Sequence, residues 1–537
     1  MLKSGHFGLS NQKVVNRLFY SLLFLHLIPL FFGKYFLTQD GPSHLYNAFV
    51  FKDLICHPHS VFANYFEINK VPNPNWLVTV FYSLFMMVFP AFVAEKIFLV
   101  IYVLFLPLSF RFLIRQINPN SSFIALLIFP LIYNITLYLG FFNFCFSIIL
   151  FFYATGYWLK YQGLISIKRF FVFLFLVTLT YFSHPVSFVI LCMMIGVFIV
   201  SEWVHDIRIR NNASLFVSQR ISIFILSLLP SIIFFVMFFR GSGTETVFTR
   251  RYVKVYIIDQ LQNYGLYFMG KTDLRICTVF AAILVFFFIY NLAIRIKNKR
   301  FYRLDILYLF FALFSILTFF SPEEIAGGSV ILIRLILYSN IIAIICISAY
   351  SYPENLKKYS AYLFFAFAIF WLGFRSYHFL DEQSEFHEFM SLENNIPKGK
   401  TLLPFIIQKS NPDGSPVDTT RDIDINIFQH AANYISLEKK LICLANYEAE
   451  QSYFPIKWKA EKSPSGYFQE NGEMISDSAV LKYSNKVGNW PDYILIWDES
   501  RGINKRKSLL FELSKHYMLE KKSIHNKAWL YRKTAQI

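Results

Sequence analysis

Apolar runs long enough to cross a bilayer recur along this chain, at roughly 18–37, 95–114, 122–139, 141–158, 170–183, 185–200, 221–239, 276–294, 304–320, 329–348 and 360–377. In hydrocarbon a backbone has no water to bond, so each crossing must close its hydrogen bonds within a helix of about 20 mostly apolar residues. The pattern predicts an all-α polytopic membrane domain of about eleven transmembrane helices over residues 1–377. With 64 Phe and a hydrophobic fraction of 55%, the chain fits no soluble fold of its length. The first run is too long and too aromatic for a cleaved signal peptide, and no small-residue cleavage site follows it, so it is expected to remain as the first span.

The net charge of +17 is unevenly placed: residues 1–377 hold 30 Lys+Arg against 13 Asp+Glu, while residues 378–537 hold 21 of each. A nucleic-acid binder more often concentrates its basic excess in a soluble domain, and here the excess is spread over loops between spans, so no nucleic-acid partner is expected. With the N-terminus in the cytoplasm, 18 bases between Lys3 and Lys358 fall on one side, opposed there by Glu202, Asp206, Asp305 and Glu354. That is the positive-inside pattern of a multi-pass protein, and a bacterial inner (plasma) membrane is expected. The stretch Trp76–Pro90 would spoil the scheme by crossing. Its Pro- and Asn-rich entry, Val71-Pro72-Asn73-Pro74-Asn75-Trp76, instead suits an interfacial helix within a long first outer loop, about 38–94.

An odd number of spans delivers residues 378–537 to the outside. There the charges balance, and strand-like runs (Leu402–Gln408, Tyr493–Trp497, Ala528–Arg532) alternate with helix candidates (Arg421–Ser436, Ser508–Met518). The reading is a small C-terminal α/β extracytoplasmic domain of roughly 160 residues, enough for its own core. Six scattered cysteines without CxxC spacing argue against a disulfide framework or a zinc site.

Chemistry is concentrated at Asp40-Gly41-Pro42-Ser43-His44, where the first run leaves the membrane. An acid at that boundary is expected to be functional. A helix starting at Gly41-Pro42 puts Asp40 and His44 about one turn apart on one face, so Asp40 is a candidate general base or holder of a divalent cation and His44 its partner. The competing reading is that Asp40 merely caps that helix.

These residues resemble the GT-C superfamily of membrane glycosyltransferases, which includes protein mannosyltransferases, oligosaccharyltransferases and the lipid A aminoarabinose transferase. The likeness lies in a carboxylate at the outer end of the first span, a long first outer loop with interfacial helices, and an extracytoplasmic C-terminal domain. It implies a polyprenyl-phosphate or pyrophosphate sugar donor, and a role for Asp40 as base toward the acceptor or as ligand of a Mg or Mn ion. Position 41 is Gly, so the Asp-Glu pair of some members is absent, and so is an oligosaccharyltransferase-type Trp-Trp-Asp motif. N-linked oligosaccharide transfer is therefore not expected.

Further candidates are placed on the same face. His184, at a turn between two spans, is positioned to reach a phosphate, although such histidines are often structural. Asn143 in Gly140-Phe141-Phe142-Asn143-Phe144 either touches substrate or closes a tight turn. The outer loop at 240–275 carries Arg250, Arg251 and Lys254 against the charge rule, which suits a lipid phosphate; the competing reading is a solvated surface, since long loops escape that rule. Arg334, one turn into an apolar run, needs either Glu323 or the donor phosphate as partner. The expected function is sugar transfer from the lipid carrier to a glycan, lipid or protein acceptor. The alternatives are a transporter or flippase for a lipid-linked saccharide, and a non-catalytic subunit of an envelope assembly complex. No mid-membrane acid and no pair of similar halves of the transporter kind is visible.

Overall fold

The structure is a computed structural model and describes residues 7–534 apart from 72, 162–165, 211–214, 242–245, 248–256, 258–270, 299–302, 326–327, 408–424, 469–478 and 499–506. Among the described residues nine helices are long and apolar enough to cross a bilayer. They are Gln12–Phe31, Ala91–Ile117, Pro119–Tyr138, Phe142–Tyr161, Pro185–His205, Gln219–Phe238, Asp273–Lys297, Ile331–Ser348 and Glu354–Asn395. Two other runs expected to cross form shorter helices, of 17 residues at Ile167–Ser183 and 14 at Ile306–Phe319. Fourteen helical residues rise about 21 Å, short of the ~30 Å hydrocarbon core.

In chain order the membrane region contains α1 (Phe7–Leu25), α2 (Gly41–Cys56), β1 (Phe66–Ile68), α3 (Leu77–Phe85), α4 (Ala91–Ile117), α5 (Ile135–Tyr138), α6 (Phe142–Tyr161), α7 (Ile167–Ser183), α8 (Pro185–Arg210), α9 (Leu215–Gly241), β2 (Thr246–Val247), α10 (Lys271–Asn298), α11 (Ile306–Phe319), β3 (Glu324–Ile325), α12 (Ile331–Ser348) and α13 (Glu354–Met390). The Pro119–Tyr138 crossing is buried throughout its window and is wound as a 3-10 helix over Pro119–Leu131 before α5. Asn134 restarts it: its Oδ1 accepts from the amides of Thr136 (2.8 Å) and Leu137 (3.2 Å), a helix cap inside the bundle. At the end of the bundle where the basic clusters gather, two buried ion pairs pin neighbouring helices, Arg220 with Glu202 and Arg295 with Asp305.

The opposite end is capped by the C-terminal region. It holds β4 (Thr401–Ile407), α14 (Ala432–Lys439), β5 (Ile442–Cys443), β6 (Ile456–Trp458), α15 (Ala479–Val487), β7 (Tyr493–Asp498), α16 (Lys507–His516), β8 (Tyr517–Lys522) and β9 (Ala528–Lys533). Five strands form one sheet in the order β5-β4-β7-β9-β8, with β4 parallel to both neighbours and β9 antiparallel to β7 and β8. The expected helix at 421–436 is displaced to Ala432–Lys439, residues 425–426 being irregular, 427–431 turns and 421–424 lying outside the described residues. Position 378 falls inside α13, which runs unbroken for 37 residues and packs Phe389 against Trp497 of the sheet at 5.4 Å.

What fastens this cap is the loop after the first span. Helix α2 is buried along most of its length, and β1 pairs antiparallel with β6, Phe66 facing Trp458 and Ile68 facing Ile456. Asn47 and Asn446 exchange amide hydrogen bonds of 3.0 and 2.8 Å, and Asn433 Nδ2 donates to Ser43 Oγ at 2.9 Å. Tyr434 bonds the buried Glu95 of α4 at 2.9 Å and stacks on Tyr35 with centroids 4.0 Å apart. Such satisfied polar contacts specify one docked geometry, because each partner left alone would cost its own desolvation.

Candidate functional site

Asp40 is held by backbone before its side chain is considered. The amides of Gln39 and Asp40 donate to the carbonyls of Tyr138 (2.9 Å) and Leu139 (3.2 Å), laying the entry to α2 against the turn at Gly140. Gly140 has φ +82, and a Cβ there would stand 2.5 Å from the Gly41 nitrogen, so only glycine permits this approach. Gly41 is also enclosed: a Cβ would meet Thr38 Oγ1 at 2.2 Å. Asp40 occupies the N-cap position of α2 without a side-chain capping bond. Thr38 Oγ1 accepts from the Gly41 amide instead, at 3.2 Å, and the Asp40 carboxylate faces a cavity.

That cavity, of ≈ 350 Å³, lies at the capped end of the bundle. One wall is apolar and built from Val189, Ile190 and Met193 of α8, Phe235 and Phe238 of α9, and Phe314 and Leu317 of α11. At its head stand Asp40, His44, His184 and Arg334, with Asn75 beside them, and Tyr447, Tyr453 and Phe454 of the C-terminal region form the roof. Arg334 enters from the first turn of α12, 8% exposed, its Nη1 donating to the Ser329 carbonyl at 2.5 Å and its guanidinium 4.1 Å from the Phe141 ring centre. Its buried Nε has no hydrogen-bond partner among the described residues. His184 Nδ1 accepts from the Val186 amide at 3.3 Å, which leaves the ring proton on Nε2.

The acid and histidine of the first loop meet a second acid and histidine from the C-terminal region. His44 Nδ1 is 2.8 Å from Glu448 Oε1, in ion-pair contact rather than in a straight hydrogen bond, and Glu448 is fully buried. Asp40 Oδ1 is 3.6 Å from His430 Nε2. Burial works against a charged His44, but the Glu448 carboxylate, and Asp40 behind it, outweigh burial and raise its pKa above the ordinary value. His430 goes the other way, to about 3, through burial and then repulsion from His44. The two histidines are therefore pushed in opposite directions, His44 toward the charged form and His430 toward the neutral one.

The expected site residues divide as follows. Asp40, His44, Asn143, His184 and Arg334 line the one cavity. Asn143 is engaged structurally: Oδ1 accepts from the Val78 amide (3.0 Å) and Nδ2 donates to the Asn75 carbonyl (3.0 Å), fixing α3 to α6. Glu323 meets α12 through its backbone, its carbonyl accepting from the Ile331 amide at 3.2 Å, and Arg334 takes Ser329 and Phe141 as partners instead. Arg250, Arg251 and Lys254 lie outside the described residues. Among the described residues no group of three or more His, Cys, Asp or Glu side chains is arranged to hold a metal ion. A Mg or Mn ion would find one carboxylate at the cavity head, Asp40, with His430 Nε2 3.6 Å from it. Glu448, His430, Tyr447, Tyr453 and Asn75 were not singled out from sequence. Nothing marks a particular acid among the 21 of the tail.

A comparison with known protein families finds no match, and a comparison with curated proteins finds none either.

Proposed function

We propose that this chain is a GT-C-like membrane glycosyltransferase. It moves a sugar from a polyprenyl-phosphate or pyrophosphate carrier to a hydroxyl-bearing glycan, lipid or protein acceptor. The observation that carries the reading is the two-part cavity, with a trough of apolar side chains from α8, α9 and α11 on one side and a carboxylate, two histidines and a buried arginine at its head. A polyprenyl phosphate has that same division of chemistry, and ligand sites of this size are mostly apolar with a few convergent polar groups.

In the proposed reaction the Asp40 carboxylate takes the proton of the acceptor hydroxyl. The acceptor oxygen forms a bond to the anomeric carbon as the bond from that carbon to the phosphate oxygen breaks. The electron pair leaves with the lipid phosphate, whose charge Arg334 stabilises with His44 beside it. Single displacement makes the transfer inverting. The finer topology belongs to this proposal: eleven spans, the N-terminus in the cytoplasm, and the C-terminal region outside the inner membrane.

The test uses the full chain in proteoliposomes with a panel of farnesyl-phosphoryl monosaccharides, reading release of farnesyl phosphate. Asp40→Asn should abolish release while leaving farnesyl phosphate binding within about twofold of wild type. A flippase or an assembly subunit would release no farnesyl phosphate in either form.

A further inference from the structure

We infer that the segment 446–454 of the C-terminal region is the sugar-reading wall of this site, taking a single monosaccharide ring of the donor. The inference rests on the glycosyltransferase reading and deepens it.

Both ends of the segment are fixed by asparagines of the first loop. At one end is the reciprocal amide pair of Asn446 with Asn47, with Trp458 Nε1 also donating to the Asn446 carbonyl at 3.2 Å. At the other, Asn69 Nδ2 donates to the carbonyls of Ser452 (2.7 Å) and Phe454 (3.0 Å), and Asn73 Nδ2 to Ser452 (2.8 Å). Between these clamps Tyr447 and Tyr453 are presented to the cavity. Tyr447 is backed by a ring stack on His430, with centroids 4.6 Å apart and planes at 28°. A loop tied at two points and stiffened by stacking loses little freedom on binding, which is what a recognition surface requires.

The same lining includes Asn75, at φ 70, a left-handed conformation that asparagine adopts more readily than most residues. Its backbone carbonyl is taken by Asn143, while its side-chain amide makes no hydrogen bond among the described residues. The chamber thus offers aromatic faces for the apolar face of a pyranose or furanose ring, and an amide and a carboxylate for its hydroxyls. At ≈ 350 Å³ the cavity is at the lower end of small-molecule sites, so beside the lipid phosphate and the near end of its chain it takes a single ring rather than a preassembled oligosaccharide.

The test is the ratio of affinities of the full chain for farnesyl-phosphoryl monosaccharides and for farnesyl phosphate, in the wild type, Tyr447→Leu, Tyr453→Leu and Asn75→Gly. The last removes the amide at a backbone conformation glycine adopts freely, so it tests the wall without threatening the fold. Wild type should prefer at least one glycosylated probe by about tenfold or more, and each variant should cut that preference about tenfold while holding farnesyl phosphate within twofold. Arg334→Gln should weaken both probes together. An unchanged preference in all three variants, or a wild type that binds farnesyl phosphate and no sugar better, overturns the inference. A wild type that binds neither probe overturns the glycosyltransferase reading beneath it.

Discussion

Gly140→Ala separates the positioning of Asp40 from the stability of the fold. The added Cβ would stand 2.5 Å from the Gly41 nitrogen and 2.7 Å from the Asp40 nitrogen, where ordinary contact starts at 3.4 Å. Those atoms are backbone, so the segment 39–41 must retreat by roughly 0.7–0.9 Å, and a displacement near 1 Å at a reacting group costs on the order of 10²-fold in rate. The left-handed backbone adds about 1–2 kcal/mol of instability once a Cβ is present. Gly399→Ala is the internal control, because that glycine has φ +74 with no atom within 4 Å of the built Cβ. In denaturant titrations of the detergent-solubilised chain both variants should lose the left-handed backbone contribution, and Gly140→Ala about 1–3 kcal/mol more for the displaced backbone. Only Gly140→Ala should lose about a hundredfold in farnesyl phosphate release from the glycosylated donor. Full turnover in Gly140→Ala, or an equal loss in Gly399→Ala, refutes the claim that the turn at 140 sets the position of the carboxylate.

Other consequences are open to measurement. Asn47→Ala and Asn446→Ala each strand a buried amide and should cost about 1–3 kcal/mol, and the double variant should show a coupling energy of at least 0.5 kcal/mol in a denaturant-based cycle. Arg334→Gln removes a charge-assisted grip worth about 1.5–3 kcal/mol, so farnesyl phosphate affinity should fall about 10- to 150-fold with little change for a neutral farnesyl ether. His430 is depressed to about 3 from an ordinary 6.5, so the unfolded chain binds the extra proton between those values. Stability should therefore rise with pH across that window, by up to about 1.4 kcal/mol per unit, and His430→Gln should flatten the slope. His44, raised by Glu448, works in the opposite sense: its contribution is present below pH 6.5 and is lost as pH rises through its elevated value, a loss that Glu448→Gln should remove.

Much of the membrane region was legible because hydrocarbon imposes one rule on every crossing. The apolar runs mark helices along the chain, and the Pro- and Asn-rich entry at 71–76 does precede a short separate helix, α3. In the tail, Thr401–Ile407, Tyr493–Asp498 and Ala528–Lys533 form strands where apolar residues cluster, whereas Tyr517–Lys522 escaped notice because its Glu-Lys-Lys end reads as surface. Arg421–Ser436 misled because the amphipathic pattern starts before the helix does. At the site, Asp40 and His44 declared themselves as polar residues at the edge of an apolar run. Their partners did not, since Glu448 and His430 become unusual only through burial against α2. That pairing is a fact of docking between segments about 400 residues apart. Asn143 shows the converse, a conspicuous polar residue whose amide is engaged in holding α3.

The central claim is that the cavity beneath the C-terminal region holds a lipid phosphate, and photo-cross-linking tests it most directly. The full chain in nanodiscs would be irradiated with a farnesyl phosphate bearing a diazirine on its chain, and the labelled peptides mapped by mass spectrometry. The account predicts label concentrated on Val189, Met193, Phe238 and Leu317, competed away by unlabelled farnesyl phosphate and reduced by Arg334→Gln. Label spread evenly over the lipid-facing helices, insensitive to both competitor and substitution, would contradict it.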